Sequence, residues 1–323
     1  MKPMRILLVG NHKEWRMERG LERAFRRMGH HTRLIDDKRA RRTLGHALTQ
    51  RWARWHLARY RPDFVFLSKC RALDHETVAA LVKDRPNALW YLDPPYYRYP
   101  ERPDIAHLIG VGALARTFFV SGFEAEWRAL GLNAKFLPAA GDRDIVPEPP
   151  SPRYACDLTF IGTGYDPERA EFLAALAREF RVRVWGKGWK KWRETLNWGG
   201  RAVEGRDFAR ACSSAGAVLG INPRIADGAT TYASNRMWIS ILAGGFYLGA
   251  GTPGMESLLR DGEHCAWYRD VDSCVAQARR YLGDPALRER VRARGERFVR
   301  EHHTFDQRAR NILNDEEWVN PLR

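Results

Sequence analysis

Residues 156–180 read CDLTFIGTGYDPERAEFLAALAREF, and this stretch decides the fold class. Its first six residues are mostly apolar, as in a buried strand, and two glycines then allow a tight turn. The residues from Glu168 onward place apolar side chains at helical spacing. A strand, a turn and a helix in this order open a βαβ unit. The stretch therefore predicts a parallel sheet with helices packed against it.

The same alternation runs through the chain on both sides of this stretch. Towards the N-terminus, apolar runs such as RILLVG and PDFVFLS alternate with amphipathic segments such as residues 18–28. Towards the C-terminus, RVRVWGKGW and AVLGIN are predicted strands, and residues 235–243 are a predicted helix. Because parallel strands need crossover connections, usually helical, we predict two Rossmann-like α/β domains.

A proline-rich stretch separates the two predicted domains. VPEPPSPRYA begins at Val146, and its prolines cannot continue a helix or the hydrogen bonds of a sheet. The 323 residues also exceed the size of about 250 at which a single core stops growing. We predict an N-terminal domain over residues 1–146, a linker over 147–155, a C-terminal domain over 156–300 and a helical tail over 301–323.

Composition limits the class of protein and its partners. Hydrophobic residues make up 44% of the chain and charged residues 29%, which is typical of a soluble globular protein. The net charge of +15 is compatible with an anionic partner, such as nucleic acid, acidic lipid headgroups or a phosphorylated small molecule, and equally with a solvated arginine-rich surface. No apolar run approaches the roughly 18 residues of a membrane span, and MKPMRILLVG is too short for a signal peptide. We therefore predict a cytoplasmic protein.

The cysteines do not form a metal-binding or disulfide pattern. There are five of them, and none is in CxxC spacing. An odd number without such spacing favours neither a zinc site nor a disulfide framework. We expect no cofactor and no metal ligand in this chain.

Five segments, in order, resemble one known family. They are DLTFIGTGYDPERAEFL, VRVWGKGW, AVLGINPRIADG, SNRMWISILAGGF and GMESLLRDGEHCAWYRDVDS. This order resembles the C-terminal domain of group-1 GT-B glycosyltransferases, in particular the CgeB-like spore-maturation branch. RILLVGN, GHHTRLID and LWYLDPP are similar to the first domain of the same branch. The resemblance covers nearly the whole chain.

The resemblance implies a fold and an activity. The fold is GT-B, in which two Rossmann-like domains face each other across a cleft and a C-terminal helix returns to the N-terminal domain. The activity is a metal-independent, hexosyltransferase-type transfer from a nucleoside-diphosphate sugar, held by the second domain, to an acceptor held by the first. For the tail, we expect a helix over His302–Val319. Its expected anchors on the N-terminal domain are Phe305, Ile312, Leu313 and Trp318.

Two features of the predicted C-terminal domain suit a diphosphate, because a departing nucleoside diphosphate needs fixed positive charge nearby. The first is the turn from Gly162 through Thr163 and Gly164 to Arg169, where backbone N–H groups and a helix N-terminus can approach a phosphate. The second is Lys187, which lies between two glycines just past a predicted strand. A plain strand-to-helix turn and a solvated loop lysine are the alternatives.

Arg236 is a third and stronger feature. It lies at the start of a predicted helix, where a cation opposes the helix dipole unless an anion is also present. An anionic ligand removes this conflict, and a surface salt bridge is the alternative. Arg236, Lys187 and Asp93 are our predicted catalytic residues. The remaining predicted donor contacts are Asn222, Asp227, Ser234, Asn235, Gly244, Gly245 and Glu256.

Ile239 departs from the pattern of the family. The position three residues after the arginine usually carries a glutamate that bonds the ribose hydroxyls of the donor, and the following LAGGF fixes the register. Either another group binds the ribose, with Asp227, Asn235 and Glu256 as candidates, or donor binding is altered or lost.

The predicted acceptor contacts lie in the N-terminal domain. They are Asn11, His12, Asp93, Tyr96 and Tyr97. Asp93 ends a predicted strand and could act as a general base in an inverting reaction, or could simply form a turn before a proline. The tyrosines could stack on sugar rings or cover the domain edge. A retaining reaction needs no such base, and the sequence leaves both outcomes open.

Two other classes of function remain open at this point. One is a nucleic-acid-directed protein, either a binding protein or a DNA or RNA glycosyltransferase, which the charge and the aromatic residues allow. The other is a GT-B protein that binds its ligand without turnover, which the missing glutamate at Ile239 suggests.

Overall fold

The computed structural model describes residues 2–94, 103–221 and 231–322. Four residues with predicted binding roles, Tyr96, Tyr97, Asn222 and Asp227, lie outside these described residues. The chain divides into two compact units. Unit 1 is Met1–Ala139 with Phe305–Val319, and unit 2 is Ala140–Thr304 with Asn320–Arg323.

Unit 1 is built on a parallel sheet of six strands in its described residues. The strands are β1 (Arg5–Val9), β2 (His31–Ile35), β3 (Phe64–Leu67), β4 (Asn87–Tyr91), β5 (Phe118–Val120) and β6 (Ala134–Phe136). Their order is β2-β1-β3-β4-β5-β6, with every neighbouring pair parallel. The helices are α1 (Met17–Arg27), α2 (Asp37–Leu44), α3 (His46–Tyr60), α4 (His75–Val82), α5 (Pro103–Leu114) and α6 (Glu124–Ala129).

The last helix of the chain, α12 (Phe305–Asn314), belongs to unit 1. It packs on α1, where Arg27 Nε and Nη2 donate to the two carboxylate oxygens of Asp306 at 2.9 and 2.8 Å. A Cβ on Gly20 of α1 would lie 2.2 Å from the Phe305 ring, so only glycine allows this close approach. The predicted return of a C-terminal helix to the first domain is confirmed. The helix ends at Asn314, five residues before the predicted end, and Trp318 reaches the Phe136 ring from the turn beyond it.

Unit 2 is built on a second parallel sheet of six strands in its described residues. The strands are β7 (Cys156–Ile161), β8 (Val182–Trp185), β9 (Asn197–Trp198), β10 (Ala215–Gly220), β11 (Tyr247–Ala250) and β12 (Ala266–Tyr268). Their order is β12-β11-β10-β7-β8-β9. The helices are α7 (Pro167–Leu176), α8 (Gly205–Ser214), α9 (Asn235–Leu242), α10 (Val271–Gly283) and α11 (Pro285–His302). The two predicted Rossmann-like sheets are thus confirmed.

The strands of unit 2 are apolar because helices cover both faces of a parallel sheet. Leu158 and Phe160 of β7 are fully buried in one cluster with Leu173 and Leu176 of α7. Ile161, also on β7, lies in a second cluster with residues of α8. The alternation of β7 side chains between two clusters fixes the strand between its helix layers.

Two negative observations apply to the described residues. None of their helices has the length and apolar character needed to cross a bilayer. All five cysteines, Cys70, Cys156, Cys212, Cys265 and Cys274, are buried free thiols.

Candidate functional site

The candidate site lies where the strand order of unit 2 reverses. From β7 the chain moves first to β8 and β9 on one side, and then to β10, β11 and β12 on the other. In open α/β sheets, ligands bind at such a switch point, outside the carboxyl ends of the strands. Here β7 ends at Ile161, and Arg236 in the first turn of α9 donates from Nε to the Ile161 carbonyl oxygen at 2.5 Å.

Two arginines share one aromatic ring at this point. The guanidinium carbon of Arg236 lies 4.6 Å from the centre of the buried Phe160 ring, and that of Arg169 lies 5.3 Å from it. Arg169 is itself buried and donates from Nη1 to the Thr163 carbonyl oxygen at 2.8 Å. The ring holds both cations at the carboxyl end of β7, as cation–π contacts do.

Arg236 is a partly buried, desolvated cation. Its pKa is lowered to about 10: desolvation is the largest cause and the charge of Arg169 also lowers it, while the phenols of Tyr247 and Tyr232 raise it. None of the described groups with the largest effects on this pKa is a carboxylate. A desolvated cation that no described carboxylate compensates is unfavourable, so the site favours an anionic ligand.

The N-terminus of α9 adds to this positive character. Its N-cap residue Ser234 makes no capping hydrogen bond, and no acidic residue lies in the first turn. The Ser234 hydroxyl oxygen and the Asn235 side-chain oxygen are buried atoms without a hydrogen-bond partner among the described residues. Buried polar atoms are normally hydrogen-bonded, so both are available to a ligand. A helix end of this kind is suited to an anion.

The Gly162 and Gly164 amides, whose contact with a donor phosphate stays a prediction, are hydrogen-bonded within unit 2. Gly162 N donates to the Trp185 carbonyl oxygen at 2.8 Å, and Gly164 N donates to the Lys187 carbonyl oxygen at 2.9 Å. The glycines serve close packing. A Cβ on Gly162 would lie 2.6 Å from Arg236 Nη2, and one on Gly164 would lie 2.4 Å from the Trp189 ring.

The N-terminus of α7, a predicted phosphate contact, already carries two carboxylates. The Asp166 carboxylate caps this helix and accepts from Glu168 N at 3.1 Å. A second acid, Glu168, lies in the first turn. Because these carboxylates already complement the helix dipole, an anionic ligand gains little there. Among the residues of the predicted turn, Arg169 and the Thr163 carbonyl lie at the candidate site.

Gly244 and Gly245, two predicted donor contacts, lie at the end of α9 opposite to Arg236. Gly244 N donates to the Ile241 carbonyl oxygen and Gly245 N to that of Ser240, so both glycines terminate α9 at its other end. Gly244 has φ +80°, the left-handed conformation that helix-terminating glycines adopt. An eight-residue helix rises about 12 Å, which separates the two ends by more than one hydrogen bond can span.

Lys187 and Glu256 are exposed in unit 2. The Lys187 carbonyl oxygen accepts a hydrogen bond from Gly164 N and so stabilises the 162–164 turn. The Glu256 carboxylate accepts from Asp261 N at 3.0 Å and so stabilises its own loop. Neither side chain makes a described contact with Arg236.

The predicted acceptor residues of unit 1 make mainly local contacts. The Asn11 side chain accepts from Lys13 N at 2.9 Å. His12 Nε2 lies 2.9 Å from the Leu34 carbonyl oxygen, which requires the proton on Nε2. The Asp93 carboxylate forms an ion pair with Lys69 Nζ at 2.7 Å, and both side chains are partly exposed.

Three aromatic residues near Arg236 were not identified from the sequence. The Phe160 ring contacts the guanidinium groups of both arginines. Tyr247 and Tyr268 are buried nearby. Tyr268 donates from its hydroxyl to the Gly220 carbonyl oxygen at 2.9 Å, which fixes the end of β10. Burial raises the pKa of both tyrosines, so they remain neutral phenols. Phe160 lies near the end of a predicted strand, but core residues give the same signal, and Tyr268 lies in β12, which was not predicted.

Comparisons with known proteins concern the family and the fold of the chain. The sequence profile of the family described as "Glycosyl transferase-like" matches residues 169–314, a range that begins at Arg169 and includes Arg236. A search of curated proteins found no significant match.

Solved structures resemble the chain over nearly its whole length. The HepE protein of Anabaena, solved with UDP-glucose, has a TM-score of 0.67 at 9% identity, with 97% of this chain and 100% of that chain covered. Sucrose-phosphate synthase from Thermosynechococcus elongatus has a TM-score of 0.67 at 10% identity, with coverages of 96% and 97%. AviGT4, a glycosyltransferase of avilamycin A biosynthesis, has a TM-score of 0.60 at 15% identity, with coverages of 98% and 100%. The chain therefore has the GT-B fold of two Rossmann-like domains, and its residues 169–314 are similar to the glycosyl transferase-like family.

Proposed function

We propose that the protein is a glycosyltransferase that transfers a hexose from a nucleoside-diphosphate sugar. The observation that carries this proposal is the Arg236 guanidinium, a desolvated cation beside Arg169 at the switch point of unit 2. The departing nucleoside diphosphate develops negative charge, and fixed cations at that position lower the barrier. The uncapped N-terminus of α9 adds positive potential there.

Two parts of the donor, the diphosphate and the ribose, have candidate partners in unit 2. The Ser234 hydroxyl can donate to a phosphate oxygen, and the two arginines supply the charge that a metal ion supplies in other transferases. The Asn235 side-chain oxygen, an acceptor without a described donor, is suited to a ribose hydroxyl and takes the role of the missing glutamate. We therefore propose a metal-independent reaction and uridine diphosphate as the first nucleotide to test, because HepE was solved with UDP-glucose and with UDP.

We propose a cytoplasmic protein of the CgeB-like branch, with an envelope or surface glycan, or a protein, as acceptor. Asp93 is the proposed general base if the reaction inverts. Its carboxylate forms an ion pair with Lys69, so an acceptor hydroxyl must compete with Lys69 for it.

A panel of donors tests the function. The protein is incubated with uridine, adenosine, guanosine and thymidine diphosphate sugars, each with and without EDTA, and the released nucleoside diphosphate is measured. We expect slow hydrolysis of one donor that persists in EDTA. Absence of both binding and hydrolysis across the panel contradicts the proposal, and loss of hydrolysis in EDTA contradicts its metal independence.

A second candidate function is a binding protein without turnover, which the apolar Ile239 favours. Ile239 is partly exposed and lies three residues after Arg236, so the two side chains are neighbours on one side of α9. Nucleotide binding without release of nucleoside diphosphate from any donor in the panel identifies this function. A nucleic-acid-directed protein is identified instead by binding that falls steeply with salt.

Replacement of Ile239 by glutamate should tighten the binding of uridine. Because Ile239 is partly exposed, the new carboxylate remains hydrated and can bond the ribose hydroxyls, which contributes about 1 kcal/mol, or about fivefold in affinity. Calorimetry on Ile239→Glu checks this, with Ile239→Ala as the control for loss of the isoleucine. Unchanged uridine affinity, or unfolding of the glutamate variant alone, shows that Ile239 does not face the ribose.

A further inference from the structure

The outward faces of α2 and α3 form an unusually basic surface, which we name the α2–α3 surface. The sequence from Lys38 to Arg61, KRARRTLGHALTQRWARWHLARYR, contains eight arginines and lysines and no aspartate or glutamate. Among the described ion pairs, the one that involves this range joins Arg54 to Glu76 at 3.0 Å. The surface therefore carries a high local positive charge.

Exposed apolar side chains lie among these cations. Leu44 at the end of α2 is 39% exposed, and Leu48 and Trp55 on α3 are 53% and 58% exposed. Leu48 and Trp55 are seven residues apart, so they lie on the same side of the helix. The buried residues of α3, such as Thr49 and Ala53, lie on the opposite side. α3 thus turns a leucine and a tryptophan away from the core.

Arginines alternate with this apolar pair on the same side of α3. Arg51 follows Leu48 by three residues and Arg59 follows Trp55 by four, which makes them surface neighbours. Both arginines are exposed. The outward side of α3 therefore combines Leu and Trp side chains with one arginine between them and one after them. Helices that lie in the interface of a lipid bilayer have this composition.

We propose that the α2–α3 surface binds the surface of an anionic lipid bilayer. The arginines contact lipid phosphates, and Leu48 and Trp55 enter the boundary between headgroups and acyl chains. Nucleic acid fits the charge, but phosphate-backbone binding leaves the exposed leucines without a role. A membrane surface uses both the charge and the apolar side chains. This inference does not depend on the proposed transfer reaction.

The charge component is tested with vesicles of phosphatidylcholine, with and without one-third phosphatidylglycerol. The full-length protein should float with the anionic vesicles and not with the neutral ones. Each arginine near an anionic surface contributes about fivefold to affinity, so the double variant Arg51→Gln, Arg59→Gln should bind about thirtyfold more weakly. The control Arg290→Gln, Arg297→Gln removes the same charge from exposed positions of α11 and should change binding less than about twofold.

The apolar component is tested in the same assay. The double variant Leu48→Ser, Trp55→Ser should bind at least about tenfold more weakly, because the apolar area no longer leaves water. Its control is Val146→Ser, Val319→Ser, which removes two other exposed aliphatic side chains. Because all four residues are exposed, the variants should keep the wild-type melting temperature, and this is measured alongside.

Several results overturn the inference. One is equal binding by the Leu48→Ser, Trp55→Ser variant and the wild type, together with displacement from vesicles by double-stranded DNA, which identifies a polyanion site. Another is a wild-type dimer that becomes a monomer in that variant, with no vesicle binding, which identifies an interface between two copies. A third is an equal loss of vesicle binding in the Arg290→Gln, Arg297→Gln control, which shows that binding depends on net charge and not on the α2–α3 surface.

Discussion

Replacement of Arg236 by methionine should weaken the binding of uridine diphosphate by about ten- to hundredfold. A guanidinium makes charge-assisted hydrogen bonds to a diphosphate, and such bonds contribute roughly 1.5–3 kcal/mol. Methionine preserves much of the contact with the Phe160 ring and removes the charge. Isothermal titration calorimetry with uridine diphosphate measures the change directly.

Three controls separate a phosphate contact from a structural effect. The affinity for uridine should change little in Arg236→Met, because the nucleoside has no phosphate. Arg236→Lys should recover part of the loss, since a point charge does not reproduce the planar fork. Arg178→Met, an exposed position two residues beyond the end of α7, should bind as the wild type does.

The stability of the free protein should change by less than about 1 kcal/mol in Arg236→Met. The variant loses the hydrogen bond to the Ile161 carbonyl oxygen, but it also removes a desolvated cation that opposes the dipole of α9. Equal losses of uridine and uridine diphosphate affinity contradict a phosphate contact. A large loss of stability with unchanged affinity assigns Arg236 a structural role.

Replacement of Arg308 by alanine should lower the free energy of unfolding by about 3–5 kcal/mol. Arg308 on α12 is fully buried, and its Nε donates to the Pro138 carbonyl oxygen at 2.7 Å. Desolvation lowers its pKa to about 9. Alanine leaves a cavity and removes the donor from a buried carbonyl. Urea denaturation measures the loss.

A neighbouring arginine gives the matched control for this prediction. Arg310 lies two residues later on the same helix and is exposed, so Arg310→Ala should cost less than about 0.5 kcal/mol. Arg308→Met should lose less than Arg308→Ala, because it fills most of the volume. Equal stability of the Arg308→Ala and Arg310→Ala variants means that α12 contributes little to the stability of unit 1.

The fold was largely predictable because most elements have a clear periodicity. The helix predicted over residues 235–243, for example, is α9, Asn235–Leu242. The missed elements are short or unusual in composition. β12 has only three residues, and α2 carries too many arginines to show an apolar face. Neither gives a periodic signal.

The candidate site was less predictable because it depends on contacts between distant segments. The position of Arg236 at the start of a helix was visible, since a helix start is a local feature. Its partner Phe160 is 76 residues away in the sequence, and no local pattern relates the two. The same reason explains why the amide partner of Gly162 was not predicted: Trp185 belongs to the adjacent strand.

The place of α12 in unit 1 has a consequence for biosynthesis. A ribosome completes the sheet strands of unit 1 by Phe136, but the helix that covers α1 is not translated until residues 305–314. During that interval the surface of α1 around Gly20 lacks the Phe305 ring, and Arg27 lacks the Asp306 carboxylate. The nascent unit 1 thus exposes an incomplete core while all of Ala140–Thr304 is synthesised. The part of the protein that is made first reaches its native state only after the part that is made later.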